Sequence, residues 1–254
     1  MEIIKSLKNS TSVSDLQVQK AISHILITKK GTSNPINGER ISAILKTSRG
    51  SEQVVIPLSK VRDIAIISQF ENGYMLQQLL AGGLVENAFM LELSTGNALQ
   101  LIDNDYLSVS LEGLEEAAEY AVFGVEVLEE ARTYIKYQSN QIVGSEPQQK
   151  QFSLGDNSVS LSIKNNGALA KLRLFGYNGK EVSYTPTELA AIAREINGMT
   201  MGPDILVEGD SVNQAFSGGA SEFFWLPTTA YKGFEISTNG VIDLTFVTVN
   251  NFSY

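Results

Sequence analysis

The chain lacks cysteine altogether and contains a single histidine, His24, in 254 residues. Without cysteine it forms no disulfide, carries no thiolate nucleophile and builds no thiolate zinc site. One histidine cannot supply a multi-histidine metal site within one chain. His24 also begins an apolar alternating run, which favours a structural residue in a strand over a general base. No Ser-His-Asp mechanism remains without it, so we expect no enzyme.

Long apolar runs are absent too. No run approaches the length that crosses a bilayer as a helix. Residues 1–20 are polar and rich in Ser and Lys, so they do not read as a secretory signal. We therefore expect a protein that is made and folded in a cytoplasm.

Positive charge is scarce, and negative charge is unevenly spread. The net charge is −9, and nine acidic residues lie between Asp103 and Glu130 with no Lys or Arg among them. Such a distribution disfavours direct binding to nucleic acid, because phosphates require a basic footprint. We interpret the stretch as a solvated acidic face; the alternative is an inter-subunit or divalent-cation surface.

Recognisable catalytic and ligand motifs are few and weak. Ser217-Gly218-Gly219 has no following Lys to reach a phosphate, and none of the 28 carboxylates stands out as a glycosidase pair. Asp103-Asn104-Asp105 places oxygen ligands at i and i+2, which suits Ca²⁺ but lacks EF-hand spacing. A plain turn is the alternative there, and for Glu208-Gly209-Asp210. Trp225 is either a core residue or a carbohydrate platform.

The strongest positive signal is an internal resemblance. Gly50–Pro57 and Gly179–Pro186 share a frame 129 residues apart. In each, a strand-like run precedes the Gly, a short strand and a Pro follow, and a helix-like stretch ends at Asn-Gly. Such an offset is too long for a solenoid repeat and fits two similar domains. Chance similarity between β-rich segments is the alternative.

Strand patterns fill most of the remaining chain, with three matching strands closing each half. A helix capped by Ser59 is expected over 58–70, with a continuous buried strand through 64–67 as the alternative. Further helices are expected over 186–196 and, as a single turn, over 74–80. Residues 199–220 are expected to be a long loop. A strand is preferred over a helix for 120–127, because Gly124 would weaken a helix. The predicted strands cover residues 24–28, 40–45, 53–56, 88–93, 106–111, 120–127, 158–163, 170–175, 222–226, 233–237 and 242–249.

These patterns predict an all-β fold of two tandem β-sandwich domains with short helical insertions. The domain boundaries follow from the offset and from a polar stretch with Gly144 and Pro147. We expect an N-terminal arm over residues 1–20, a first domain over 21–140, a linker over 141–152 and a second domain over 153–254.

Asp105–Leu114 and Tyr120–Glu126 read as strand, turn and strand. Together with the tandem β domains, the missing cysteine, the polar arm and the acidic surface, they resemble the double jelly-roll major capsid proteins of icosahedral, membrane-containing bacterial viruses of the corticovirus type. The resemblance covers residues 20–254 and rests on architecture, without a signature motif. The helices after Pro57 and Pro186 are a departure from it.

The resemblance implies a structural protein of the virion. Proteins of this kind form homotrimers with a pseudo-hexagonal outline, which contact neighbouring trimers to tile a shell around an internal membrane, with vertex proteins as further partners. Some relatives bind Ca²⁺ between subunits, which would give Asp103 and Asp105 a role. The competing class is a carbohydrate- or receptor-binding β-sandwich protein, such as a spike or tail module, which is also non-catalytic.

Overall fold

In the computed structural model, residues 2–32, 38–71, 76–144, 146–197, 214–215 and 222–251 are described. Residues 2–125 are called the first half below, and residues 133–251 the second half. The first half contains β1 (Glu2–Leu7), β2 (Ser12–Val18), β3 (His24–Gly31), β4 (Arg40–Lys46), β5 (Glu52–Lys60), α1 (Val61–Ser68), β6 (Leu76–Leu79), β7 (Val85–Glu92), β8 (Ala98–Leu99), β9 (Tyr106–Glu112) and β10 (Glu119–Val125).

The second half follows the two-residue strand β11 (Glu130–Ala131), which pairs with β8. Its elements are β12 (Thr133–Ile142), β13 (Gln148–Ser153), β14 (Ser158–Lys164), β15 (Leu169–Gly176), β16 (Glu181–Tyr184), α2 (Pro186–Asn197), β17 (Gln214–Ala215), β18 (Phe223–Pro227), β19 (Tyr231–Thr238) and β20 (Ile242–Asn251).

The fold is mostly β, as predicted, and its main sheets are antiparallel. The first half has the sheets β1-β10-β3-β7-β6 and β2-β9-β4-β5, and β17 of the second half adds to the first of these by pairing with β6. The second half has the sheets β12-β20-β14-β18 and β13-β19-β15-β16. If the eight main strands of each half are numbered by position in that half, both halves give the orders 1-8-3-6 and 2-7-4-5. The order of pairing is therefore the same in the two halves.

The two segments that share a sequence frame occupy equivalent positions. Gly50 lies in the turn of the β4–β5 hairpin at φ 81°, and Gly179 lies in the turn of the β15–β16 hairpin at φ 76°. Both positions use the left-handed region that glycine tolerates. A helix follows each hairpin: α1 after β5 and α2 after β16. Pro57 lies within β5, whereas Pro186 is the first residue of α2.

Alternating side chains form two buried clusters. The first is centred in the first half and includes Ile25, Val109 and Val122, but it also contains Tyr137 and Trp225 from the second half. The second lies wholly in the second half; its members include Leu161, Ile163, Leu174, Phe234 and Leu244. The contact between the halves is therefore continuous with the first core.

The N-terminal segment differs from the arm predicted over residues 1–20. It forms β1, which pairs with β10, and β2, which pairs with β9. Both are edge strands, so each needs few apolar side chains; Leu7 and Val18 are the ones that become fully buried. A polar composition therefore did not distinguish an edge strand from an arm.

Three further local predictions need correction. The linker predicted over 141–152 is largely strand, because β12 ends at Ile142 and β13 begins at Gln148. Residues 76–79, predicted as helical, form a strand. Helix α1 begins at Val61 after Lys60, without a side-chain cap, so Ser59 is not its N-cap. The strand preferred for 120–127 is confirmed by β10.

Of the loop predicted over 199–220, only residues 214–215 are described, and they form β17. The Glu208–Asp210 turn and the Ser217–Gly219 segment lie outside the described residues.

Candidate functional site

His24 occupies a structural position. Its ring is half-buried, and burial lowers the pKa of the imidazole below its usual range. Its Nδ1 lies 2.8 Å from the Ser23 hydroxyl, and β3 places it opposite Val125 on one side and Glu92 on the other. A neutral imidazole bonded to a neighbouring hydroxyl fits a structural residue in a sheet.

Asp103 and Asp105 have different roles in one turn. Asp103 is exposed and has a positive φ of 54°. Asp105 is buried, and its Oδ1 accepts a hydrogen bond of 2.7 Å from the backbone N–H of Ser48, in the β4–β5 turn. Within the described parts of the chain, no group of three or more His, Cys, Asp or Glu residues is placed to hold a metal. Calcium binding at Asp103 and Asp105 stays a prediction.

The acidic stretch from Asp103 to Glu130 is not one uniform face. Three of its carboxylates form ion pairs with cations elsewhere in the sequence: Glu112 with Arg40 at 3.5 Å, Glu115 with Lys29 at 2.8 Å, and Glu119 with Lys8 at 2.7 Å. Five others are exposed: Asp103, Glu116, Glu126, Glu129 and Glu130. The exposed acidic residues of this stretch therefore lie at the turn of Asp103, at Glu116 between β9 and β10, and on the segment that follows β10.

A buried charged cluster lies around Lys29. Its Nζ is 2.9 Å from Glu39 Oε1 and 2.8 Å from Glu115 Oε2, and the side chains of Lys29 and Glu39 are each 4% exposed. The Tyr120 hydroxyl donates a bond of 2.6 Å to Glu39 and accepts one of 3.0 Å from the Glu115 N–H. Burial alone would lower the pKa of Lys29, but the hydrogen bonds that its ammonium donates to the Glu115 and Glu39 carboxylates, together with their charges, outweigh burial and raise the pKa. The arrangement joins β3 and β10 to the chain before β4 and after β9.

The two halves meet in a contact that we call the seam, where β5, α1 and Phe70 of the first half face β12, Phe223 and Trp225 of the second. The rings of Phe70 and Trp225 stack with their centroids 5.5 Å apart and 7° between their planes. The Tyr137 hydroxyl donates a bond of 3.0 Å to the Glu92 carbonyl. Trp225 is only 6% exposed. Its stacked, buried ring therefore does not form a surface platform for a carbohydrate, and the core interpretation is the correct one.

Ion pairs continue the seam at the start of α1. Arg62 binds the Glu222 carboxylate through both terminal nitrogens, one of them at 2.6 Å. Lys164 lies 3.0 Å from Asp63 and its Nζ lies 4.3 Å from the centre of the Phe223 ring. A bidentate arginine fixes direction as well as distance. These partners are more than 100 residues apart in the sequence, so no local pattern could have indicated them.

Two cavities border this seam. The larger, about 380 Å³, is lined by Asp63, Ile67 and Lys164, with Asn140 and Asp243 across from them. The smaller, about 200 Å³, is lined by Glu71, Glu92 and Trp225 among others. Burial, with a smaller contribution from the Glu71 charge, raises the pKa of Glu92 to about 7. The Trp225 indole N–H has no hydrogen-bond partner among the described residues.

The seam therefore has aromatic stacking at its centre and ion pairs beside it. Comparison of the chain with protein-family models and with curated proteins finds no match. In the part of the chain that the structure describes, no helix is long and apolar enough to cross a membrane.

Proposed function

We propose that the chain is a structural shell protein: a double jelly-roll major capsid protein whose homotrimers tile an icosahedral virion. Each half would be one jelly roll, and three chains would place six similar domains around one axis. The helices α1 and α2 would be insertions at the same point of each jelly roll.

The observation that carries the proposal is the shared pairing order. In a jelly roll the chain alternates between two four-stranded sheets, so its first strand pairs with its last and its second with its seventh. The orders 1-8-3-6 and 2-7-4-5 follow that rule in both halves. The two β-turn glycines at an offset of 129 residues support duplication of one unit.

The same proposal assigns partners and a location. The trimer would contact neighbouring trimers laterally, with vertex proteins and an internal membrane as further partners in the virion. A net charge of −9 argues against direct contact with packaged nucleic acid. No residue is assigned a catalytic role.

The alternative, a carbohydrate- or receptor-binding module, is less well supported. Such a module usually presents a cluster of exposed aromatic rings. Among the described residues, Tyr177 is the one aromatic side chain in the set of exposed large hydrophobic residues. The others in that set are aliphatic: Ile3, Val54, Leu58, Val127, Leu128, Val143, Val182 and Val241.

Sedimentation and electron microscopy of the purified protein test the proposal. We expect trimers in ultracentrifugation and particles of near-hexagonal outline in negative stain, with sheets or shells at higher protein concentration. A protein that stays monomeric at high concentration, or that binds a glycan array with a monomeric stoichiometry, would contradict the proposal and favour the binding module.

A further inference from the structure

The seam shows how one half covers the outer face of the other. In the second half, the outer face of the sheet β12-β20-β14-β18 carries Tyr137, Val247 and Ser160 in direct register. These residues are 1%, 7% and 3% exposed, because α1 and β5 of the first half lie over this region, and Tyr137 and Val247 belong to the first core. The α1–β5 edge of the first half, which we call the covering edge, therefore packs within the chain on the outer face of this second-half sheet, which we call the covered face.

The equivalent face of the first half carries a similar apolar row. Ile3, Phe123, Leu26 and Met90 lie in direct register across β1, β10, β3 and β7. Their neighbours along the strands point the other way, into the core. The row itself is only partly buried; Ile3 is 61% exposed, and none of the four belongs to a buried cluster. We call this row the β3 face.

The covering edge has an equivalent in the second half: α2 buries Leu189 and Ala193 within the chain, and its outer side is exposed. In the first half, α1 buries Val61, Ile64, Ala65, Ile66 and Ile67. In the second half, α2 leaves Ala191 exposed, and Glu181, Val182 and Ser183 of the edge strand β16 are exposed. Each helix has an acid as its third residue: Asp63 in α1, which pairs with Lys164, and Glu188 in α2, which is exposed.

We propose that the β3 face of one chain binds the α2–β16 edge of a second copy of the same chain, and so repeats the internal seam between chains. The inference extends the proposed function by naming the surfaces that join its subunits. The two surfaces differ, so the contact is heterologous, and repeating it gives either a closed ring or an open filament. A closed trimer would use every β3 face and every α2–β16 edge once.

Cysteine cross-linking tests the contact, since the chain has no cysteine of its own. In the internal seam, Gln53 accepts a hydrogen bond of 3.3 Å from Tyr134, near the start of β12. The residue 129 positions after Gln53 is Val182, and the strand equivalent to β12 is β1. We therefore expect a short bismaleimide to join Ile3→Cys to Val182→Cys between chains. The control pairs Ile3→Cys with Val241→Cys, which is 42% exposed in the β19–β20 turn.

A charge placed in the β3 face gives an independent readout. Phe123→Glu should shift the concentration at which the oligomer half-dissociates upward by at least about tenfold, as expected for loss of a central aromatic contact. Val241→Glu is the matched control and should leave it unchanged. Thermal unfolding of both variants at a concentration where the wild type is monomeric checks that each still folds.

The outcomes separate this contact from the proposed function. Trimers that cross-link through the Ile3–Val182 pair and dissociate on Phe123→Glu support both. Trimers that neither cross-link through this pair nor dissociate on Phe123→Glu would contradict the contact but not the proposed shell function. Cross-linked filaments or dimers keep the contact and overturn the trimeric shell. A monomer at every concentration overturns both.

Discussion

Replacing Lys29 by Met should destabilise the protein far more than a similar change at the surface. The Lys29 ammonium lies within 2.9 Å of two carboxylates, and its side chain is 4% exposed. Methionine has a similar length and shape, so the substitution removes the charge and leaves little cavity. Glu39 would then be a buried carboxylate without its cation, and Tyr120 and Gly38 would be its remaining hydrogen-bond donors.

The magnitude follows from that geometry. Removing one partner of a buried ion pair typically costs about 3–5 kcal/mol, because an uncompensated charge stays out of water. For a protein of this size, 1 kcal/mol lowers the melting temperature by about 2–4 °C. The Lys29→Met variant should therefore melt about 6–20 °C below the wild type. Its urea midpoint should fall with little change in the slope of the unfolding curve.

Lys8→Met is the matched control. Lys8 forms an ion pair of 2.7 Å with Glu119, shorter than either pair of Lys29, but the two side chains are 66% and 53% exposed. Exposed pairs contribute at most about 1 kcal/mol. The two variants therefore lose the same kind of contact at a similar distance and differ in burial. Differential scanning calorimetry at low and high salt should show a small drop in melting temperature for Lys8→Met. That drop should depend on salt, whereas the drop for Lys29→Met should not.

The pH dependence has a definite sign. The raised pKa of Lys29 means that the fold favours its charged form, so this contribution is fully present below the ordinary Lys pKa of 10.5 and is lost as the pH rises above it. Wild-type stability should therefore fall at strongly alkaline pH more steeply than that of Lys29→Met. Equal melting temperatures for the Lys29 and Lys8 variants would refute the burial argument.

Three other measurements test the seam, the acidic turn and the expected absence of hydrolytic activity. Burial raises the pKa of Glu92 from 4.5 to about 7, so the destabilisation is absent below pH 4.5, grows as the pH rises from 4.5 to about 7, and stays constant above that. Glu92→Gln should therefore stabilise the protein by on the order of 1–2 kcal/mol at pH 8 and by little at pH 4. Exposed Glu181→Gln should show no such difference in urea unfolding. Salt or Ca²⁺ should promote trimer association by reducing repulsion between chains of charge −9. If the turn at Asp103 binds Ca²⁺, Asp103→Asn should weaken the effect of Ca²⁺ on association in ultracentrifugation but not the effect of salt. Glycosidase and esterase substrates should not turn over; activity that disappears on changing one carboxylate or serine would contradict this expectation.

Much of the β architecture was accessible from the sequence because its strands alternate between core and surface. β3, β4, β9 and β15 were all expected within a few residues of their observed bounds. Most of their inward side chains are apolar and most of their outward neighbours are polar, which is the signal that a half-buried strand gives. The two hairpins were accessible for another reason: Gly50 and Gly179 need a positive φ that few other residues adopt.

The edge strands and the seam could not be predicted from the sequence in the same way. Edge strands β1 and β2 bury few side chains, so they resemble a polar arm in composition. α1 begins at Val61 without a side-chain cap, so no capping residue in the sequence marks its start. Arg62 and Glu222 meet across 160 residues, and their pairing depends on both halves having folded.

Asp105 shows why the acidic turn was ambiguous. From the sequence, Asp103 and Asp105 are equivalent oxygen ligands two residues apart. In the structure only Asp105 is buried, where it accepts from the Ser48 N–H and so holds the turn of the neighbouring hairpin. Its carboxylate already has a structural partner, which leaves Asp103 as the freer ligand of the two. The environment of each carboxylate, rather than their spacing, decides what it can bind.

The seam also constrains how the halves fold and assemble. The first core includes Tyr137, Trp225 and Val247 of the second half, so it is incomplete until both halves are present. A second half separated from the first would expose a stacked tryptophan and leave Lys164 without Asp63. Residues buried within one chain in this way cannot also serve as surfaces between chains. Under the proposed assembly, the β3 face and the α2–β16 edge would form the contact between chains. Because each chain carries one of each, the contact consumes them in equal numbers, and a closed ring leaves neither exposed.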